Sequence, residues 1–149
     1  MTYRLYTPAD FPALYAVEEL CFAPSFRFSR AYMRQIVESA DSATWIAEED
    51  TDLSGFSIVE WTAGEGESAA YIQTLEVHPL WRSRGIGVEL LRLAESSARA
   101  AGAKSIGLHV DGENAAAIHL YESHGYARQG RQEHYYARRR AAFTYRKSL

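Results

Sequence analysis

The stretch Arg82-Ser83-Arg84-Gly85-Ile86-Gly87 decides the fold of this 149-residue chain, because it joins a predicted strand to a predicted helix. Tyr71–Val77 before it has the composition of a β-strand, and Val88–Ala94 after it carries apolar residues at helical spacing. The first N–H groups of a helix lack intrahelical partners and attract anions, and glycine lets a phosphate approach the backbone. The stretch therefore predicts an anion-binding loop. It is neither a P-loop nor a dinucleotide fingerprint, since GxxxxGK(S/T) and GxGxxG are absent from it.

This loop resembles the (Q/R)xxGx(G/A) motif of the GNAT acetyltransferases, with Arg82, Gly85 and Gly87 at the matching positions. In that family the loop holds the pyrophosphate of acetyl-CoA. The resemblance therefore implies acetyl-CoA as the cosubstrate, with a binding site formed by the end of the strand and by the loop: Leu75, Val77, Arg82, Ser83, Arg84, Gly85, Ile86 and Gly87.

Two further stretches are similar to signatures of the same superfamily. Asn114–Tyr121, followed by Gly125-Tyr126, resembles NxxAxxLYxxxGF, and His134-Tyr135-Tyr136 lies near the family's (N/H)YY element. The resemblance covers nearly the whole chain and is strongest to the N-terminal protein acetyltransferases, including the bacterial ribosomal-protein-alanine type.

The composition fits one domain over residues 1–149, with 47% apolar residues for a core. There is no apolar run of about eighteen residues, so we expect no membrane span. The single cysteine, Cys21, excludes an internal disulfide and is expected in the core of a cytoplasmic protein. Basic residues are concentrated from Arg128 onward. They are interpreted as a solvated loop between two strands rather than as a nucleic-acid site, because no such motif accompanies them.

The order of predicted elements is β-α-α-β-β-β-α-β-α-β-β. Short turns make consecutive strands antiparallel, whereas the strand–helix–strand unit over 69–110 must be a parallel crossover. This predicts an α/β (α+β) GNAT fold, in which about seven strands form a mixed central sheet covered by four helices. The predicted strands are Thr2–Tyr6, Ala43–Glu48, Ser54–Trp61, Ala69–Val77, Lys104–Val110 and segments near 126–136 and 141–147; the helices open near 7, at 29, near 85 and at 114.

The chemistry implied by the resemblance is acetyl transfer from a thioester to an amine. In the GNAT family the two parallel strands splay apart and open a notch where the thioester lies, so the resemblance implies such a notch here. His109 lies on the strand beside it, and an imidazole that titrates near neutral pH suits a general base. Bacterial ribosomal-protein-alanine enzymes carry a glutamate there. A histidine paired with Tyr71, in Tyr-Ile-x-Thr-Leu, instead looks like one eukaryotic N-terminal acetyltransferase subtype. The alternative is a structural histidine within the sheet.

Other candidates follow the same resemblance. Tyr121 matches the tyrosine near the CoA sulfur and is expected to protonate the leaving thiolate, while Asn114 is expected to bind the cofactor, to cap its helix, or both. Tyr135 and Tyr136 match tyrosines that hold the substrate peptide, with strand packing as the alternative. Phe22, Phe26 and Phe28 occupy the loop where the family builds its substrate pocket. Glu18 and Glu19 lie nearby, with simple exposure to solvent as the alternative to a role there.

The histidines show no metal-ligand spacing, so no metal is expected. The sequence thus favours an acetyl-CoA-dependent N-acetyltransferase that acts in a ternary complex on a peptide or protein α-amine. The alternatives are acetylation of a small amine, such as a polyamine or aminoglycoside, and a non-catalytic acyl-CoA sensor. The expected partners are the peptide or small amine substrate, with no nucleic acid and no membrane, and the expected state is a monomer or weak homodimer.

Overall fold

A computed structural model of the chain describes residues 1–62, 68–133 and 141–149. Over these residues the chain forms a seven-stranded sheet and four α-helices in the predicted order, so the fold prediction is confirmed. The strands are β1 (Thr2–Leu5), β2 (Ser42–Glu49), β3 (Asp52–Trp61), β4 (Ala69–Val77), β5 (Ser105–Asp111), β6 (Ala127–Gln132) and β7 (Ala142–Ser148). The helices are α1 (Phe11–Cys21), α2 (Arg30–Glu38), α3 (Ile86–Ala100) and α4 (Ala115–Ser123).

The strand order across the sheet is β1-β2-β3-β4-β5-β7-β6. Strands β4 and β5 pair in parallel, and the other neighbouring strands pair antiparallel. Helix α3 supplies the crossover between β4 and β5. The predicted parallel unit is therefore present at the centre of the sheet.

The helices bury apolar side chains against both faces of the sheet. On one face, α1 and α2 pack over β2 and β3 through a cluster that includes Phe11, Met33, Phe56 and Ile58. On the other face, α3 packs over β2, β3 and β4, and its Leu91 shares a buried cluster with Tyr121 of α4 and with residues of β4 and β5. The sheet is thus the middle layer, and its central strands are covered on both sides.

A β-bulge interrupts β4 near its middle. Ile58 of β3 lies opposite Thr74 and Val59 lies opposite Ile72, so Gln73 is the extra residue. A bulge of one residue shifts the alternation of side chains by one position. Ile72 therefore faces α3 before the bulge, whereas Glu76 faces α1 after it.

The ends of two predicted elements differ from the structure. The helix expected to open at Thr7 begins with a 3-10 turn, Pro8–Asp10, in which the Thr7 backbone N–H donates to Asp10 Oδ2 over 2.8 Å. The strand expected to reach residue 136 is described as far as Gln132, and residues 134–140 lie outside the described part of the chain. No helix in the described ranges combines the length and apolarity needed to span a bilayer.

Gly55 of β3 lies close both to the neighbouring strand β4 and to helix α3, beside the predicted loop. A Cβ at this position would lie 2.7 Å from the Glu76 carbonyl oxygen and 3.2 Å from Leu90 Cδ1 on α3. Because the first of these contacts is with backbone, Gly55→Ala forces the strands or the helix to move.

We expect Gly55→Ala to reduce the free energy of unfolding by about 1–3 kcal/mol, as other overpacking substitutions do. Gly107→Ala on β5 is the matched control, since its Cβ would lie 3.4 Å from the nearest heavy atom. Urea denaturation of the two variants measures the difference. Equal stability of the two variants would contradict this account of the close packing around Gly55.

Candidate active site

The parallel pairing of β4 and β5 is short. It joins Ala69–Ile72 of β4 to Ser105–Leu108 of β5, although β4 continues to Val77 and β5 to Asp111. Beyond the paired segment a cavity of about 480 Å³ lies between the end of β4, the N-terminus of α3 and helix α4. This opening between splayed strands is the notch expected from the sequence.

The loop from Arg82 to Gly87 forms one wall of this cavity. Ser83 and Gly85 both have positive φ, 63° and 81°, and these two left-handed residues turn the chain into α3. The first hydrogen bond of α3 runs from the Glu89 N–H to the Gly85 carbonyl over 3.2 Å. The N–H groups of the three residues between them therefore have no acceptor within the helix. A helix N-terminus with free N–H groups at a cavity wall is suited to bind a phosphate anion.

Most of the predicted cofactor residues meet in this cavity. Those that line it are Leu75, Val77, Arg82, Ser83, Gly85, Ile86, Gly87, Asn114 and Tyr121. Arg84 does not line it, because its guanidinium stacks over the Trp81 ring at 4.9 Å from the ring centroid. The predicted cofactor contact of Arg84 stays a prediction.

The end of β4 presents its backbone toward the notch. The His78 N–H donates to the Ser54 carbonyl of β3 over 2.8 Å. Successive N–H groups of a strand point to opposite edges, so the Val77 N–H points away from β3 and into the opening. The Val77 carbonyl accepts from Arg82 Nε over 3.1 Å, which fixes the first residue of the loop against the strand.

Helix α4 forms the opposite wall. Asn114 Oδ1 accepts from the Ala117 N–H over 3.1 Å, so this side chain caps the helix as expected. Tyr121, two turns further, is 6% exposed. Burial, together with the nearby Glu76 carboxyl, raises the pKa of the Tyr121 hydroxyl above its usual value, so it stays protonated at neutral pH.

Cys21 also borders this cavity, whereas the sequence placed it in the core. Its thiol is half-buried and donates to the Val77 carbonyl over 3.6 Å, while Arg82 Nη2 lies 3.5 Å from the sulfur. Burial and the nearby Glu76 carboxyl raise the pKa of Cys21 to about 11, and Arg82 offsets only part of this shift. The residue is therefore a neutral thiol near pH 7 and a poor nucleophile.

A second cavity of about 350 Å³ lies against the paired part of β4 and β5. It is lined by Ser25, Phe26, Arg27, Phe28, Tyr32, Tyr71, Gln73 and His109. Four of the residues predicted to serve the acceptor, Phe26, Phe28, Tyr71 and His109, are thus brought together. Phe22 instead lines the first cavity, called the cofactor cavity below because the predicted cofactor residues meet there. Tyr135 and Tyr136 lie outside the described residues.

Tyr71 and His109 form a hydrogen-bonded pair across the two parallel strands. The Tyr71 hydroxyl lies 2.7 Å from His109 Nδ1. Burial lowers the pKa of His109 below its ordinary value, although a hydrogen bond to Gln132 partly opposes this shift. The imidazole is therefore neutral near pH 7, so it is able to accept a proton, either directly or by taking the Tyr71 hydroxyl proton as that hydroxyl accepts another.

Sequence reasoning missed two sets of residues near these cavities. Gln73 projects at the bulge, where it accepts from the Tyr32 hydroxyl over 3.1 Å and donates to Glu60. Glu18 and Glu76 are buried, whereas the sequence leaves solvent exposure open as the alternative for Glu18. The described residues contain no group of three or more side chains that is able to hold a metal ion.

Comparison with known proteins identifies the family. The model of the acetyltransferase (GNAT) family matches residues 11–126 of the chain. The chain belongs to the GNAT acetyltransferase family. The matched segment contains α1, the loop, Tyr71, His109 and Tyr121, so it covers both cavities.

Relatives in the family are named acetyltransferases. A streptothricin acetyltransferase of Streptomyces lavendulae is 42% identical over 91 residues, which are 60% of this chain and 47% of that protein. An uncharacterised N-acetyltransferase of Bacillus subtilis, YhfO, is 31% identical over 76% of this chain and 77% of its own length. The chain thus spans about half the length of the streptothricin enzyme and 19% of a similar mycothiol acetyltransferase.

Solved structures share the fold at lower identity. The ribosomal-protein-S18-alanine N-acetyltransferase of Escherichia coli superposes with a TM-score of 0.85 at 24% identity, over 99% of this chain and 93% of that one. Arabidopsis thaliana NAA60 in complex with acetyl-CoA superposes with a TM-score of 0.87 at 20% identity, over 99% of both chains. At these identities the likeness establishes the fold.

The lining of the cofactor cavity supplies a test of ligand binding. A Cβ at Gly87 would lie 3.6–3.8 Å from Leu120, Leu75 and Val77, so alanine fits and a branched side chain fills the space between loop and strand. We expect Gly87→Val to weaken acetyl-CoA binding at least about tenfold, because its methyl groups occupy the space between the loop and β4 where the ligand is expected to bind. Gly87→Ala is the matched control. Calorimetry gives both affinities, and a folded Gly87→Val protein with unchanged affinity would place the ligand elsewhere.

Proposed function

We propose that this protein transfers the acetyl group of acetyl-CoA to the α-amine of a peptide or protein N-terminus, by direct attack in a ternary complex. The observation that carries the proposal is the placement of the Tyr71–His109 pair, 2.7 Å apart, in a cavity separate from the phosphate-binding loop. Strand β4 contributes Tyr71 to the acceptor cavity and Leu75 and Val77 to the cofactor cavity. One strand thus supports both reactants.

On the acceptor side the required step is removal of a proton from the attacking amine. An α-amine has a pKa near 7.7–8.0, so a weak base suffices, whereas a lysine amine near 10.4 needs a stronger one. The Tyr71–His109 pair holds a neutral imidazole, because burial lowers the pKa of His109. The pair accepts the amine proton directly or through one water molecule.

On the thioester side the required step is stabilisation of the carbonyl oxygen and of the departing sulfur. The Val77 N–H points into the notch and is the candidate donor to the oxygen. The Tyr121 hydroxyl, with its raised pKa, is a weaker acid than a thiol of pKa about 8.5. We therefore assign it a hydrogen bond to the sulfur, rather than complete proton transfer, as the C–S bond breaks and the new C–N bond forms.

An acyl-enzyme route receives no support from the only cysteine of the chain. The pKa of Cys21 is raised to about 11, and the Tyr71–His109 pair is on the other cavity. A thiol without an adjacent base is not activated as a nucleophile. Direct attack by the acceptor amine is therefore the preferred mechanism.

The lining of the acceptor cavity favours a peptide. Phe26, Phe28 and Tyr32 contribute aromatic surface beside the Tyr71–His109 pair, which suits an apolar side chain near the reacting amine. The Escherichia coli structural neighbour is a ribosomal-protein-S18-alanine N-acetyltransferase, which is consistent with this class of acceptor. Tyr135 and Tyr136 remain candidates for contact with the peptide backbone.

A small-molecule amine is the second candidate. The 42% identity over 91 residues with a protein named streptothricin acetyltransferase favours it. A non-catalytic acyl-CoA sensor is a weaker candidate, because a sensor has no need for Tyr121 or for the Tyr71–His109 pair. Acceptor selectivity separates these three functions.

Initial rates over a panel of N-terminal peptides, polyamines, aminoglycosides and streptothricin test the proposal. We expect kcat/KM for the best peptide to exceed that for the best small amine at least about tenfold, since the aromatic cavity contributes binding to a side chain. A higher kcat/KM for a small amine would replace the peptide proposal with the second candidate. Acetyl-CoA binding without turnover of any acceptor would favour the sensor.

The pH profile of His109→Gln tests the base. His109 accepts a proton only when it is neutral, so wild-type kcat/KM should fall as the pH drops through an apparent pKa below 6.5. In His109→Gln this acidic limb should disappear, and the rate should fall by on the order of 10²–10⁴-fold. His119→Gln changes an exposed histidine of α4 and is the matched control. An unchanged rate and profile in His109→Gln would mean that the base lies elsewhere.

A further inference from the structure

Two carboxyl groups are buried between α1 and β4, where neither has an assigned role. Glu18 of α1 is 1% exposed and Glu76 of β4 is 3% exposed. Within the described part of the chain neither carboxyl forms a salt bridge with a cation. A buried carboxylate without a cation or a full set of hydrogen bonds is costly, so the pair requires an explanation.

The hydrogen bonds of the pair account for half of its oxygen atoms. Glu18 Oε2 accepts from the Phe28 N–H over 3.0 Å, and Glu76 Oε2 accepts from Thr74 Oγ1 over 2.7 Å. The Oε1 atom of each residue has no partner among the described residues. The two carboxyl groups lie within hydrogen-bonding range of each other.

A single proton resolves this arrangement. Two ionised carboxylates repel each other and have no hydrogen atom to share, whereas one proton between them gives both groups a partner. Burial raises the pKa of Glu76 well above its ordinary value, and the contact with Glu18 adds to the shift. Together with the two Oε1 atoms that have no partner, this favours a protonated Glu76 carboxyl that donates to Glu18.

The position of the pair links it to the acceptor cavity. Both polar backbone atoms of Phe28 are fixed by α1: the N–H by Glu18 and the carbonyl by the Tyr15 hydroxyl, over 2.8 Å. Phe28 lines the acceptor cavity, and Glu76 belongs to the strand that also carries Tyr71. The carboxyl pair is thus a polar connection from the loop of residues 22–29, through α1, to β4.

We propose that Glu18 and Glu76 share one proton and that this hydrogen bond positions the loop of residues 22–29 against β4 for acceptor binding. Glu18 and Glu76 are positioning residues, since they act through Phe28 and β4. The positioning role rests on the proposed acetyl transfer, whereas the shared proton does not.

Other titratable groups face the pair and need to be separated from it. Three neighbours carry such groups. The Cys21 thiol of α1 interacts with Glu18, Glu76 and Arg82, and the Tyr121 hydroxyl of α4 interacts with Glu76. The pKa of Cys21 is raised to about 11 and that of Tyr121 is raised further above its usual value, while arginine stays charged. Near neutral pH these three neighbours therefore each keep one protonation state.

Infrared difference spectroscopy tests the shared proton without any activity measurement. We expect wild-type protein at pH 7 to show the carbonyl band of a protonated carboxylic acid, and we expect Glu76→Gln to lose it. Glu95→Gln is the matched control, because Glu95 is also buried but is paired with Lys147 Nζ over 3.1 Å and accepts from the Tyr126 hydroxyl over 2.9 Å. Absence of the band in wild type, or its persistence in Glu76→Gln, would overturn the shared proton.

Hydrogen exchange and steady-state kinetics test the positioning role. Glu76→Gln retains an N–H donor toward Glu18, so we expect Phe28 amide exchange and acceptor KM within about twofold of wild type. Glu76→Ala removes the donor, so Phe28 exchange should be faster and acceptor KM higher, each about tenfold. Wild-type values for both in a folded Glu76→Ala protein would overturn the role. If wild type acetylates no acceptor, the proposed function fails, while infrared and exchange data still decide the pair.

Discussion

The short parallel pairing of β4 and β5 is the constraint on which the two cavities depend. Four residues of each strand are paired, and β4 then runs on for five further residues without β5 as its neighbour. The unpaired backbone edge would be costly in a closed sheet, but here it borders an open cavity. The same divergence leaves room for α4, so Tyr121 faces Val77 across the opening.

The bulge at Gln73 divides β4 into two functional halves. Before it, Tyr71 faces the acceptor cavity while Ile72 packs under α3. After it the alternation is shifted, so Leu75 and Val77 pack toward α3 and Glu76 faces α1. Without the bulge, Leu75 and Val77 would share the face of Tyr71. One extra residue therefore allows a single strand to serve two cavities and to bury a carboxyl between them.

Much of this arrangement is predictable from the sequence, because its signals are local. The loop and α3 are specified by consecutive residues, and the Tyr71–His109 contact follows from two strand motifs of the family. The burial of Glu18 had a signal that was missed, since Glu18 lies seven residues after Phe11 on the same apolar face of α1. The burial of Glu76 had none, because it depends on the bulge, and no local pattern in Tyr71–Val77 indicates one.

The central claim is that the two reactants bind on opposite parts of β4. Amide chemical shifts in ¹⁵N-labelled protein, recorded on addition of acetyl-CoA, test it most directly. The account predicts the largest changes at Val77 and at Ile86, Gly87 and Val88, with smaller changes at His109 and Phe28 until an acceptor is added. Changes concentrated at His109 and Phe28, with Ile86–Val88 unaffected, would contradict it.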